Sequence, residues 1–139
     1  MHIEIKQITA QETYNLRHEV MWPDKPLDFV KLDNDEEGIH FGLLKNNAIV
    51  AVVSLFVEGN KAQFRKLATK TSEQGKGYAT RLLRYLTNYV VAKGHVNWLW
   101  CNARADKTGF YKNFGMIETD QTFQKGGLDY CIMEKKLTI

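Results

Sequence analysis

At 139 residues, 44% of them hydrophobic, the chain has the size and apolar content of one compact domain, expected to span residues 1–139 without extra staples. A net charge of +3, with lysines and arginines scattered among acids, suits a small polyanionic ligand and excludes the basic stripe of a nucleic-acid binder. No apolar run approaches the ~20 residues of a membrane span and nothing reads as a signal peptide, so a soluble, cytoplasmic protein that engages no membrane is expected.

In chain order, His2 to Gln7 alternates as a strand does, and Thr9 with Glu12 is a capping box for a helix running to about Val20. The prolines of Trp22-Pro23-Asp24-Lys25-Pro26 stop that helix, and the acidic stretch Leu32 to Gly38 is a short helix or loop. Phe41 to Lys45 and Ala48 to Val57 flank Asn46-Asn47, a two-residue turn between strands rich in Val, Ile and Phe. Ala62 to Thr69 continues the meander as a third strand. From Gly77 to Lys93, apolar residues at Ala79, Leu82, Leu83, Leu86 and Val90 mark an amphipathic helix that Gly94 terminates. Val96 to Cys101 is a near-continuous apolar run, as in a central strand buried on both faces. A short helix over Asp106 to Phe114 ends at Gly115, and Ile117 to Phe123 with Leu128 to Leu137 makes a closing hairpin around Lys125-Gly126-Gly127. Cys101 and Cys131 have apolar neighbours and no CxxC spacing, so they read as reduced core residues rather than as a disulfide or zinc pair. The sum is an α+β sheet with helices packed on it.

Two glycines stand where the long helix begins, in the stretch Gln74-Gly75-Lys76-Gly77-Tyr78-Ala79. A strand, a polar Gly-rich turn and a helix leave several backbone N–H groups unpaired and aimed one way, and the helix dipole makes that spot a phosphate site. Glycine keeps Cβ atoms away from the anion. The P-loop pattern is absent, and the dinucleotide fingerprint would want Gly or Ala at Thr80 and an acidic residue near Asn102. A nucleoside triphosphate and NAD are therefore disfavoured. A lone GxG read without its context is a strand-to-helix turn and no more.

Here the sequence resembles the GNAT superfamily of acetyl-CoA-dependent N-acyltransferases. Gln74 to Ala79 fits its Q/R-x-x-G-x-G/A signature, and "WLWCNARADKTGFYKNFGM" is similar to its N…A…FY…GF segment, with Met116 in place of the usual Phe. The likeness spans about Ala62 to Met116. It implies a GNAT-like mixed, mostly antiparallel sheet with a splayed central parallel strand pair and helices on both faces. It implies an acetyl-CoA co-substrate, while no HExxH or similar ligand set suggests a metal. By the same resemblance, the amides of Gly75, Lys76, Gly77, Tyr78, Ala79 and Thr80 would hold the pyrophosphate of coenzyme A, with Gln74 ordering the turn. The main chain of Leu67, Ala68 and Thr69 would pair with the pantetheine arm, which Asn102 and Phe110 would also meet. Tyr111 falls where the family places a tyrosine near the cofactor sulfur.

Independently of the family, acyl transfer from a thioester to an amine needs a neutral amine, a donor for the developing oxyanion and a proton for the departing thiolate. Tyr111 is a sensible acid, the alternative being an aromatic packed on the sheet; the Leu67 N–H is a candidate oxyanion donor. The general base is not readable: Asp33, Asp35, Glu36 and Glu37 look like a solvated face, and His18 and His40 are as readily structural. Lys70, Lys76 and Arg81 flank the turn and either meet phosphate or simply face water. Arg17, Trp22 and Tyr130 are candidate acceptor contacts, Arg17 favouring an acceptor with an acidic group and Trp22 serving equally as a loop anchor. The expected activity is N-acetylation of a primary amine on a small molecule or protein by direct attack on the thioester. The alternative is a non-catalytic acyl-CoA-binding regulatory module. Exposed edge strands permit a homodimer.

Overall fold

The computed structural model of the protein describes residues 1–137. Among them, the strands β1 (Ile3–Ile8), β2 (Ile39–Lys45), β3 (Ala48–Glu58), β4 (Lys61–Thr69), β5 (Trp98–Arg104), β6 (Ile117–Lys125) and β7 (Leu128–Lys136) form a seven-stranded sheet in the order β1-β2-β3-β4-β5-β7-β6. The helices are α1 (Tyr14–Leu16), α2 (Tyr78–Ala92) and α3 (Thr108–Asn113). The chain divides into two compact units: Met1–Phe56 with Arg65–Tyr89, and Val57–Phe64 with the described residues from Val90 onward.

In the first unit β1 and β2, then β2 and β3, pair antiparallel. Asn46 and Asn47 take φ of 51° and 71°, the left-handed pair that a tight hairpin turn requires. Thr9 and Glu12 form their capping box: the Thr9 amide donates to Glu12 Oε1 at 3.0 Å and the Glu12 amide to Thr9 Oγ1 at 3.3 Å. The helix behind it is not the single regular one, to about Val20, that the capping box predicted. A 3₁₀ turn (Gln11–Thr13) leads into α1, and a π-helical turn (Arg17–Met21) follows. Leu16 of α1 joins Ile8, Val52 and Ala68 in one buried cluster, with Val20 and Met21 against it. Phe41 points to the opposite face of β2, where Tyr85 and Tyr89 of α2 meet its ring edge-on at 5.5 and 5.2 Å. Helices therefore cover both sides of this unit's strands. Leu82, Leu83 and Leu86 of α2 are fully buried, each stabilising the fold by about 2 kcal/mol.

In the second unit, β4 and β5 pair in parallel over Lys61–Gln63 and Trp98–Trp100. β5 also pairs antiparallel with β7, and β7 with β6. β5 starts two residues later than its apolar run and ends at Arg104. Its burial differs from the expectation of two covered faces: Leu99, Cys101 and Ala103 are buried, while Trp98 and Trp100 are half-exposed and Asn102 is exposed. One face of β5 is core; the other is accessible. The closing hairpin turns at Gly126-Gly127, with Lys125 paired to Leu128. Cys101 and Cys131 are buried thiols, as expected.

Candidate active site

The end of β4 carries an irregularity that no motif announced. Lys66 has φ of 58°, a left-handed conformation rare for a residue with a long side chain and absent from a regular strand. It costs about 1 kcal/mol or more. The kink falls inside β4, which continues through Leu67, Ala68 and Thr69. Ala68 is locked in the buried cluster with Ile8, Leu16 and Val52, so this stretch is firmly seated. Lys70 then donates its amide to Val50 O at 2.8 Å, closing the strand.

The turn beyond it is built by short-range contacts. A 3₁₀ turn spans Thr71–Glu73. Gln74 reaches back, its Nε2 donating to Thr69 O at 3.1 Å. Glu73 accepts from Lys45 Nζ at 3.0 Å and from Lys76 Nζ at 2.9 Å. The Lys76 hydrogen bond, then that of Lys45, holds the Glu73 carboxyl below its ordinary range. Glu73 thus ties the turn to β2 and neutralises one of two adjacent cations. Gly75 and Gly77 take φ of 80° and 81°, and a Cβ at either would meet nothing within 4 Å. The glycines are there for the backbone, not because a neighbour crowds them. The first helical bond of α2 runs from the Arg81 amide to Gly77 O at 3.1 Å. The amides of Gly77 to Thr80 make no turn or cap hydrogen bond among the described residues, and Gln74 and Gly75 form a hydrogen-bonded turn ahead of them. Lys76 and Gly77 are exposed and Ala79 and Thr80 half-exposed, while the Tyr78 side chain is buried and anchors the helix start. Its hydroxyl donates to Met1 Sδ at 3.9 Å. The arrangement is a row of open donors at the positive end of a 15-residue helix, suited to a phosphate or diphosphate.

The second unit supplies a different chemistry. Phe110 and Tyr111 lie on α3, their ring centroids 5.1 Å apart, and Tyr111 sits 5.8 Å from Phe64 of β4. Burial among these groups pushes the Tyr111 phenol above its ordinary range, and the nearby Cys101 thiol adds to the shift. Burial likewise raises the Cys101 thiol to about 12. Tyr111 is half-buried, its ring set against Phe64 and Phe110 and its hydroxyl without a hydrogen-bond partner among the described residues. Asn102 is exposed at the β5 end.

A family model described as the acetyltransferase (GNAT) family matches residues 5–116. The chain belongs to that family. It is similar to the uncharacterized N-acetyltransferase YitI of Bacillus subtilis, 25% identical over 97% of each chain. Solved structures share the GNAT fold. The ribosomal-protein-S18-alanine N-acetyltransferase of Escherichia coli has a TM-score of 0.82 at 19% identity, covering 99% of this chain and 96% of its own. A GNAT family acetyltransferase from Elizabethkingia anophelis with acetyl-CoA bound has a TM-score of 0.76 at 19% identity, covering 97% and 98%.

Several candidates of this GNAT chain fall elsewhere than expected. Arg17 lines no acceptor wall: it is fully buried, its Nη1 and Nη2 donating to the two Asp35 carboxylate oxygens at 2.8 and 2.9 Å. Asp35 accordingly leaves the solvated acidic face, where Asp33, Glu36 and Glu37 remain exposed. His40 has both ring nitrogens engaged, Nδ1 with Ser54 Oγ at 2.7 Å and Nε2 with Asp35 O at 2.8 Å. A carbonyl can only accept, so Nε2 carries a hydrogen. His18 Nε2 meets Lys25 O at 2.6 Å. Trp22 packs edge-on against Phe29 at 5.1 Å, the loop anchor its prolines suggested. Lys70 and Arg81 are exposed beside the turn. Among the described residues, no three His, Cys, Asp or Glu side chains gather as a metal site, and no helix is long and apolar enough to cross a membrane. Sequence reasoning missed the Lys66 kink, which lysine does not signal. It also missed the Glu73 clamp, for which the i,i+3 spacing of Glu73 and Lys76 was a readable cue.

Proposed function

We propose that this GNAT protein transfers an acetyl group from acetyl-CoA to a primary amine, and that the amides of the turn from Gly75 to Thr80 carry the cofactor's pyrophosphate. The open row from Gly77 to Thr80, with no Cβ at Gly77, is the observation on which the reading rests. Gln74 holds the turn against Thr69, and the main chain of Leu67, Ala68 and Thr69, which follows the Lys66 kink, pairs with the pantetheine arm. Asn102 and Phe110 are assigned to the same arm by the family pattern.

The amine nitrogen attacks the thioester carbonyl carbon, a C–N bond forms and the C–S bond breaks. The amine nitrogen gives its proton to water, and the thiolate takes one from Tyr111, which water restores. A phenol shifted upward stays protonated but is a weaker acid. It delivers its proton only as the C–S bond breaks, when a sulfur anion in the same apolar surroundings is itself strongly basic, as the shift of Cys101 illustrates. The Leu67 N–H is the oxyanion donor in this scheme.

The test is a thermal-shift comparison of CoA, acetyl-CoA and NAD, followed by thiol release from acetyl-CoA with amines of different classes. Stabilisation by acetyl-CoA with amine-dependent thiol release is expected. Stabilisation by NAD alone would overturn the reading, and cofactor binding without thiol release for any amine would leave a regulatory acyl-CoA module.

A further inference from the structure

Glu73 is shared by two ammonium groups that reach it from different elements. Lys45, the last residue of β2, donates to Oε1 at 3.0 Å and to Oε2 at 3.2 Å. Lys76, inside the glycine turn, donates to Oε2 alone at 2.9 Å. One carboxylate neutralises one of these cations, so a positive charge is left over beside the open amides.

The two lysines are not equivalent. Lys45 is fixed by the sheet, pairing with Ile3 of β1 and Ala48 of β3, and 24% of its side chain is exposed. Lys76 stands between Gly75 and Gly77, where a Cβ would meet nothing within 4 Å, and 45% of its side chain is exposed. The Glu73 side chain is only 14% exposed, so a carboxylate left there with no cation at all would be poorly compensated. With two cations present, giving up the more exposed one strands no charge. Lys45 is what makes Lys76 dispensable to Glu73.

Lys76 is also the one placed to act elsewhere. It directly precedes Gly77, where the open row of amides begins, and its four-carbon stem carries a mobile point charge with three donors. An anion on that row offers it a second acceptor. All three side chains, the turn and the start of α2 belong to one compact unit.

We propose that Lys45 and Glu73 are a positioning pair for the cofactor site. Glu73 holds Lys76 in the free protein; when acetyl-CoA binds, Lys76 turns to its diphosphate and Lys45 alone keeps the carboxylate neutral. The inference rests on the acetyl-CoA reading and deepens it, because it makes affinity depend on a residue, Lys45, that is assigned no cofactor contact.

Calorimetric titration with acetyl-CoA tests it, run on the full chain at about 0.15 M salt, where charges more than about 8 Å apart are largely screened. Melting temperatures of the same proteins are recorded without cofactor. Lys76→Gln should weaken acetyl-CoA about fivefold, the upper range for a partly exposed ion pair. Lys45→Gln should weaken it about threefold, since Lys76 must then stay with Glu73, and Lys45→Arg should restore the parent affinity. Glu73→Gln releases Lys76 and should tighten binding about threefold; in that background Lys45→Gln should have no effect. If Lys45→Gln does not fold, the opposite signs expected for Glu73→Gln and Lys76→Gln decide alone. Weaker binding in Glu73→Gln, or an equal loss from Lys45→Gln with and without Glu73, would overturn the exchange and leave a static clamp, while the transferase reading stands. If the parent itself binds no acetyl-CoA, both readings fall.

Discussion

Arg17 and Asp35 form a two-pronged ion pair sealed from water, with side-chain exposures of 0% and 4%. Arg17 Nη1 also donates to Val30 O at 3.0 Å and Nη2 to Ser54 Oγ at 2.8 Å, while Asp35 Oδ2 accepts the Leu32 amide at 2.8 Å. One pair of side chains thus fastens the π-helical turn at 17–21 to β3, to the segment ending at Val30 and to the turn at Asp35. Desolvation of both charges is offset by hydrogen bonds, although Arg17 Nε has no partner among the described residues.

Removing one partner of such a pair strands the other charge. Asp35→Asn should cost about 3–5 kcal/mol and lower the melting temperature by about 10 °C. The double change Arg17→Met with Asp35→Leu should cost much less, because no charge is left behind. Denaturant melts of the parent and the two variants decide: a loss in the double variant as large as that in Asp35→Asn would mean that the stranded charge is not the source of the cost.

The same pair sets an acid limit. Burial alone would raise the Asp35 carboxyl, but the Arg17 hydrogen bonds, the Leu32 amide and the charges of Arg17 and His40 bring it below its ordinary value. A carboxyl lowered in the folded state contributes stability that is complete above the unfolded value of about 3.9 and is lost as pH falls through the lower, folded one. Stability attributable to Asp35 should therefore be flat from neutrality to about pH 5 and decline only below about pH 4. In Asp35→Asn that acid-dependent part should be missing when unfolding free energy is followed against pH.

Local chemistry made much of this fold legible. The Asn46-Asn47 turn, the Thr9–Glu12 box, the apolar stripe of α2 and the Gly75–Gly77 turn each lie within a few residues of their cause, and all are present. What could not be read depends on distant partners. Arg17 looks like a surface cation until Asp35 and Ser54, 18 and 37 residues away, are brought to it. β5 read as covered on both faces because Trp98 and Trp100 are apolar, yet only alternate residues are core.

The kink at Lys66 is the least expected backbone feature of β4. At φ of 58°, glycine would sit without strain and a β-branched residue with more. Lys66→Gly should change stability by less than about 1 kcal/mol, whereas Lys66→Val should lose about 2 kcal/mol. Equal stability of the two variants in urea melts would show that the strand relaxes to a regular geometry.

Two glycines of equal conformation separate backbone strain from cofactor binding. Gly77 and Gly94, before and after α2, both have φ of 81° and open space where a Cβ would go. Alanine at either should cost about 1–2 kcal/mol. Only Gly77→Ala should also weaken acetyl-CoA, by about tenfold, since it alone disturbs the open amides. An equal loss of cofactor affinity in Gly94→Ala would trace the effect to general destabilisation.

Tyr111→Phe removes a single oxygen that bonds to nothing among the described residues, and leaves the ring between Phe64 and Phe110. Its melting temperature and acetyl-CoA KM should therefore match the parent, so any loss of rate belongs to the chemistry. As the proton donor to the leaving thiolate, the phenol should be worth about 10²-fold or more in kcat. The upward shift of the phenol adds a second signature: the parent should lose no rate to Tyr111 ionisation up to about pH 10, where an ordinary tyrosine would begin to titrate. An unchanged kcat in Tyr111→Phe would reduce the residue to a packing role and leave water to protonate the sulfur.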